Sequence, residues 1–178
     1  MSDHTDTYHF FWSGPFSQWQ ACRFEMDGLD FSSAEQAMMY FKATLFSDQE
    51  IADQILAEGE PGRQKALGRR VKGFHEETWA AERYDIVKRV NLAKFGQNKG
   101  LRRKLFQTIP KDMVEASPLD TIWGIGLDTD HALRTPVADW PGQNLLGRIL
   151  NETRAELAET YPDEAKACAG ENQETEND

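Results

Sequence analysis

The stretch Ser32-Ser33-Ala34-Glu35-Gln36-Ala37-Met38-Met39-Tyr40-Phe41-Lys42 constrains this chain most, because it opens a helix and loads one face of it with opposite charges. Glu35 and Lys42 are seven positions apart, so at about 100° per residue they project from nearly the same side, two turns apart. Met38 and Met39 lie between them. An acid and an amine that share a face with methionine and aromatic side chains are expected to be partly desolvated, the setting in which their pKa values move. Two capping boxes overlap here. Ser32-x-x-Glu35 would spend the glutamate on a backbone N–H, whereas Ser33-x-x-Gln36 would leave it for chemistry. Both readings stand at the level of local sequence, and Lys42 by itself reads as a solvated lysine.

A length of 178 residues, 39% hydrophobic and with five tryptophans, suits one globular domain with its own core. The formal charge is −10, and half of it comes from residues 162–178, where six acids face Lys166 alone. That tail is expected to be disordered, as is the polar segment 1–7. An acidic body argues against a broad, non-specific grip on nucleic-acid backbone, while leaving room for a local basic pocket. Cys22 and Cys168 form neither a disulfide framework nor a C-x-x-C pattern, and no apolar run reaches 18 residues. The expectation is a soluble, cytoplasmic protein.

Along the chain, Tyr8–Trp12 reads as a short strand, and Arg23–Met26 and Leu29–Phe31 as a hairpin turning at Asp27-Gly28. Helices are expected over Gln49–Ala57, over Glu76–Phe95 with Gly96 as the C-cap, and over Leu101–Ile109. Asp112–Ala116 suits a strand, and Asn144 suits the N-cap of a last helix running to about Leu157. Arg63, Lys65, Arg69, Arg70 and Lys72 form the densest basic patch, either a solvated face or a phosphate site. Trp79, in a first helical turn, is either core or a stacking platform for a base. Trp123-Gly124-Ile125-Gly126 permits close backbone approach, but neither a dinucleotide fingerprint nor a P-loop is present, and no cofactor is expected. Residues 129–141 read as a long irregular connection, a lid or a mobile segment. Asp128-x-Asp130-His131 reads as turn residues in preference to a metal site.

Taken in order, Ser33-Ala34-Glu35-Gln36 with Lys42, Trp79, Trp123-Gly124-Ile125-Gly126 with Asp128, and Gly142-Gln143-Asn144-Leu145-Leu146-Gly147 resemble the YbiA-like family, also called the NADAR domain. The resemblance covers about residues 8–158. It implies a compact, mainly α fold with a small N-terminal β element, and an enzyme that hydrolyses N-glycosidic bonds. Implied substrates are ribosylamino-pyrimidine 5′-phosphates of early riboflavin synthesis, released as base and ribose 5-phosphate. ADP-ribosylated guanine, free or in nucleic acid, is the alternative, and a non-catalytic ADP-ribose-binding module is another.

Cleaving a C1′–N bond builds positive charge on the sugar, which calls for a carboxylate and a water. Glu35 is the candidate for that role, with Asp128 as the second carboxylate for ribose hydroxyls or a proton transfer. Trp79 or Trp123 would stack the departing base, and Lys42 with Arg69 would hold phosphate. Alternatively, the Lys42 amine attacks the anomeric carbon and forms a Schiff base. Gly124, Asn144 and Gly147 are further ligand-contact candidates, the last two with equally good readings as a cap and a packing glycine. The chain departs from the family after Phe16-Ser17, where asparagine is common and Gln18-Trp19 stands here, and in the length of its 129–143 segment.

Overall fold

The computed structural model describes residues 4–175. In chain order the elements are α1 (His4–Thr7), β1 (Tyr8–Phe11), β2 (Phe24–Met26), β3 (Leu29–Phe31), α2 (Ala34–Leu45), α3 (Gln49–Ala57), α4 (Pro61–Gly68) and α5 (Glu76–Gln97). They continue as α6 (Lys99–Phe106), β4 (Asp112–Glu115), α7 (Thr129–Ala132), a 3-10 turn (Val137–Asp139), α8 (Leu145–Thr160) and α9 (Pro162–Thr175). The fold is mainly α with a minor β component. Two compact units divide it: Gln18–Asn98, and the chain up to Ser17 together with Lys99 onward. No helix among the described residues is long and apolar enough to cross a membrane.

In the Gln18–Asn98 unit, β2 and β3 pair antiparallel with Phe24 opposite Phe31 and Met26 opposite Leu29. Both turn residues, Asp27 (φ 53°) and Gly28 (φ 77°), take the left-handed region that a two-residue hairpin of this hand requires. Alternation then sends Phe24, Met26 and Phe31 inward, where they pack with Ala34 and Ala37 of α2 and Val90 of α5. Asp48 ties two elements with one carboxylate: Oδ1 accepts from Ile51 N–H at the start of α3, and Oδ2 from Lys72 N–H. Those backbone bonds, that of Lys72 first, hold its carboxyl below the usual range. α5 runs through Gly96 to Gln97, where Gly96 had been expected to end it. Its end is closed by Asn98, whose amide donates to the carbonyls of Lys94 (2.8 Å) and Arg23 (3.0 Å).

In the other unit, β1 and β4 run parallel, Phe10 beside Val114. Val114, Ile125 and Ala132 form a core with Tyr8, Phe10, Leu127 and Trp140 around it. The expected irregular 129–141 connection is organised: α7 and the 3-10 turn lie within it, Trp140 Nε1 donates to Thr135 C=O, and its ring meets Tyr8 edge-on at 5.5 Å. Of the expected unstructured N-terminal segment, residues 4–7 form α1 and residues 1–3 lie outside the described chain.

The acidic segment after Tyr161 is also corrected: through Thr175 it is helix α9, while residues 176–178 lie outside the described chain. Pro162 at the first position and Asp163 and Glu164 in the first turn suit a helix start. Ala165 and Cys168, three apart, are buried. The Arg102 guanidinium grips the Glu164 carboxylate through Nε and Nη2, both at 3.0 Å, and lies 3.9 Å from the Tyr161 ring centroid. This hydrogen bond, then burial working against it, leaves the Glu164 carboxyl below its ordinary 4.5. A depressed carboxyl pKa adds stability above the unfolded value, lost as pH falls through the folded one. Glu164→Gln is therefore expected to lower the melting temperature at pH 7, with the gap from the parent closing below about pH 4. Thermal melts from pH 7 to pH 3 measure it.

Candidate active site

Helix α2 begins where Ser33 turns the chain. Ser33 is extended (φ −161°), and its Oγ accepts from Gln36 N–H at 3.0 Å, so Ser33 is the cap. The reciprocal half of the box is displaced by one residue: Gln36 Oε1 accepts from Ser32 N–H (2.7 Å) and from Ser32 Oγ (3.1 Å). Glu35 thus takes no part in the cap side chains. Its own N–H donates to Gln18 C=O at 2.9 Å, and the residue is only 3% exposed.

Two turns on, Lys42 is half-buried, and its Nζ donates to Gly68 C=O at 2.9 Å. Gly68 can come that close because it has no Cβ, which would run into Met39 Sδ, one turn before Lys42 on the same helix. Aromatic rings flank the amine: the Phe74 centroid lies 4.5 Å from Nζ and that of Trp79 5.6 Å. Burial is the main force pushing the Lys42 pKa below the lysine value. Glu76 and Glu35 pull it back up, and Arg69 lowers it further. Glu35, Lys42, Arg69 and Trp79 therefore act on one electrostatic site, all within the Gln18–Asn98 unit. Phe74, Glu76 and the Gly68 carbonyl belong to it and were not read from the sequence. Glu76 and Trp79 are three apart at the start of α5, a helical spacing that offered the signal.

The remaining candidates, Trp123, Gly124, Asp128, Asn144 and Gly147, lie in the other unit. There the Trp-Gly-Ile-Gly and Gly-Gln-Asn-Leu-Leu-Gly segments clasp each other. Gly142 N–H donates to Ile125 C=O, Asn144 to Gly124, Leu145 to Ile122 and Leu146 to Trp123. The N–H groups of Leu145 and Leu146 at the start of α8 are thereby given to carbonyls of the preceding loop.

Asn144 (φ 52°) does not cap α8 with its side chain. Its amide instead acts as a missing neighbour strand: Oδ1 accepts from Glu115 N–H and Nδ2 donates to Met113 C=O, each at 3.0 Å. A Cβ on Gly147 would run into the Met113 carbonyl oxygen, so this glycine lets α8 lie against β4. One on Gly124 would meet Glu115 C=O at 2.8 Å. These three residues have packing roles. Asp128, half-exposed, caps α7 through His131 N–H (2.9 Å) and contacts His131 Nδ1 at 2.8 Å. Those bonds hold its carboxyl below the usual range, the backbone one first. Asp120 Oδ1 fixes the Trp123 loop by accepting from the N–H groups of Ile122 and Trp123, both at 2.8 Å.

With this geometry in hand, the sequence pattern of the NADAR domain matches residues 9–158. N-glycosidase R617 of Acanthamoeba polyphaga mimivirus is 41% identical over 165 residues, 85% of this chain and 97% of the viral protein. N-glycosidase YbiA of Escherichia coli is 29% identical over 145 residues, 82% of each chain. The NMR structure of that protein matches with a TM-score of 0.71 at 27% identity, covering 88% of each chain. The riboflavin biosynthesis protein VVA0006 of Vibrio vulnificus is 27% identical over 149 residues, 84% of this chain but 37% of its own length.

If Asn144 serves β4 and not a ligand, its loss is read in stability. Asn144→Ala strands one N–H and one C=O of β4 and is expected to cost about 2–4 kcal/mol in urea unfolding. Gly147→Ala is expected to cost at least as much, through collision with the strand backbone.

Proposed function

The chain belongs to the NADAR domain family, and from that premise we propose that it is an N-glycosidase, a hydrolase of N-glycosyl compounds, acting on phosphorylated ribosides. Ribosylamino-pyrimidine 5′-phosphates of the riboflavin route are the preferred substrates, a reading supported by the name of the Vibrio relative. The observation that carries the proposal is the coupling of Lys42 to Glu35 and Arg69 beside the Trp79 ring.

In this reaction the C1′–N bond breaks, C1′ becomes cationic, water adds to it, and the leaving nitrogen takes a proton. The products are free base and ribose 5-phosphate. The Glu35 carboxylate offsets the charge at C1′ and accepts a proton from the incoming water. Lys42 and Arg69 hold the phosphate, and Trp79 receives the base. No step calls for a metal or cofactor group.

A second reading is favoured by the half-buried amine of Lys42. A neutral amine attacks C1′, the base departs with a proton, the ribose ring opens to a Schiff base, and water releases the sugar. ADP-ribosylated guanine is the alternative substrate for either mechanism.

Glu35→Gln is expected to lower kcat on a ribosylamino-pyrimidine 5′-phosphate at least 10³-fold with an unchanged melting curve; turnover at the parent rate overturns the assignment. The pH dependence separates the two roles of Lys42. As an anchor it loses its charge as pH rises through a pKa below 10.5, so KM climbs on the alkaline side while kcat holds. As a nucleophile it gains activity over the same range, and borohydride traps sugar on the enzyme. Running an ADP-ribosylated guanosine oligonucleotide beside the metabolite identifies the better substrate by kcat/KM.

A further inference from the structure

Glu76, Trp79 and Arg83 fall at positions i, i+3 and i+7 of α5 and so share one face of the helix. Trp79 is the ring beside the Lys42 amine, and Arg83 follows it one turn on. The Arg83 side chain is only 10% exposed. Among the described residues its one ion pair is with Glu76, Nη1 standing 3.5 Å from a carboxylate oxygen, the outer limit of a hydrogen bond. Its Nε is buried and has no hydrogen-bond partner there.

A guanidinium taken out of water is normally offset by short bonds on several of its donors, as Arg102 is by Glu164 through two bonds of 3.0 Å. Arg83 has no such clamp. The Glu76 side chain is 66% exposed, so water competes for the one carboxylate that reaches it. That same carboxylate is the strongest charge supporting the protonated Lys42 amine, ahead of Glu35. One exposed, weakly held acid therefore answers two cations that lie on either side of Trp79 in the site.

We propose that Arg83 is a phosphate-binding residue of this site and that Glu76 is its displaceable counter-ion. The inference rests on the reading of the chain as a hydrolase of phosphorylated ribosides, and adds to Lys42 and Arg69 a third cation and the acid that guards them. The 5′-phosphate takes the position that the Glu76 carboxylate holds in the free protein, and the carboxylate turns out to water. Two phosphate oxygens then accept from the Arg83 guanidinium side by side, and a third meets the Lys42 amine. A dianionic phosphate displaces a single exposed carboxylate from two cations. A riboside without phosphate does not, and the acid thereby sets specificity for the phosphorylated form.

The test is calorimetric titration of ribose 5-phosphate into the full-length protein, with ribose as the comparison. It reads binding alone, so its outcome is separate from whether any riboside is hydrolysed. Saturable binding of ribose 5-phosphate is expected, with ribose at least tenfold weaker. Arg83→Gln is expected to weaken ribose 5-phosphate about 30-fold, and Arg83→Lys, which keeps the charge without the fork, by less. Glu76→Gln is expected to tighten it about threefold, since the competing carboxylate is gone. Glu76 stands at the surface, so this variant reads the site even where Arg83→Gln fails to fold. A purely structural Arg83–Glu76 pair predicts the opposite sign for Glu76→Gln. Weaker binding in Glu76→Gln, Arg83→Gln within twofold of the parent, equal affinity for ribose, or no saturable binding of ribose 5-phosphate overturns the proposal.

Discussion

The Ser33 hydroxyl is the point from which the candidate site is set. It accepts the Gln36 N–H and donates to Gln64 Oε1 at 2.8 Å, so one buried oxygen starts α2 and ties it to α4. Gln36 extends the tie: its Nε2 donates to the carbonyls of Ile55 (2.9 Å) and Glu58 (2.9 Å), while Gln64 Nε2 reaches Glu58 C=O as well. The unsatisfied carbonyls at the end of α3 are thereby answered by side chains from two other helices. Because Gln36 performs this work, Glu35 stays out of the cap. The helix then carries its carboxylate inward at the first turn and its amine at the third.

The same economy holds in the other unit. The Asn144 amide replaces a strand beside β4, Gly147 removes the side chain that would keep α8 from β4, and the Trp123 loop answers the N–H groups of Leu145 and Leu146. These features position the loop that carries Trp123 and Asp128. Family motifs thus mix candidate site residues with residues that hold the backbone which presents them. A motif as a string does not distinguish the two.

Much of the fold was legible where one local rule acts alone. Asp27-Gly28 demands left-handed angles and yields the hairpin; Asp48 and Pro61 bracket α3, whose bounds Gln49–Ala57 are those expected. Legibility failed where a partner distant in sequence decides. Gly96 looked like a helix stop, yet Asn98 closes α5 by bonding both the helix's own Lys94 carbonyl and the Arg23 carbonyl beside the hairpin, a partner that only the fold supplies. The acidic segment after Tyr161 looked disordered by charge, but two small buried residues and Arg102 hold it as α9. At the site, Glu35 and Lys42 were visible because helical spacing is local. Phe74, Glu76 and the Gly68 carbonyl were hidden because they reach Lys42 through packing between helices.

The central claim is that α2 holds an acid and an amine in one partly desolvated field. An NMR titration of the Lys42 side chain, in the parent protein and in Glu35→Gln, measures it directly. Lys42 should titrate below 10.5 in the parent, and lower again once the carboxylate that steadies its positive charge is gone. A Lys42 that titrates at 10.5 in both proteins, or one unmoved by the loss of Glu35, would contradict the account.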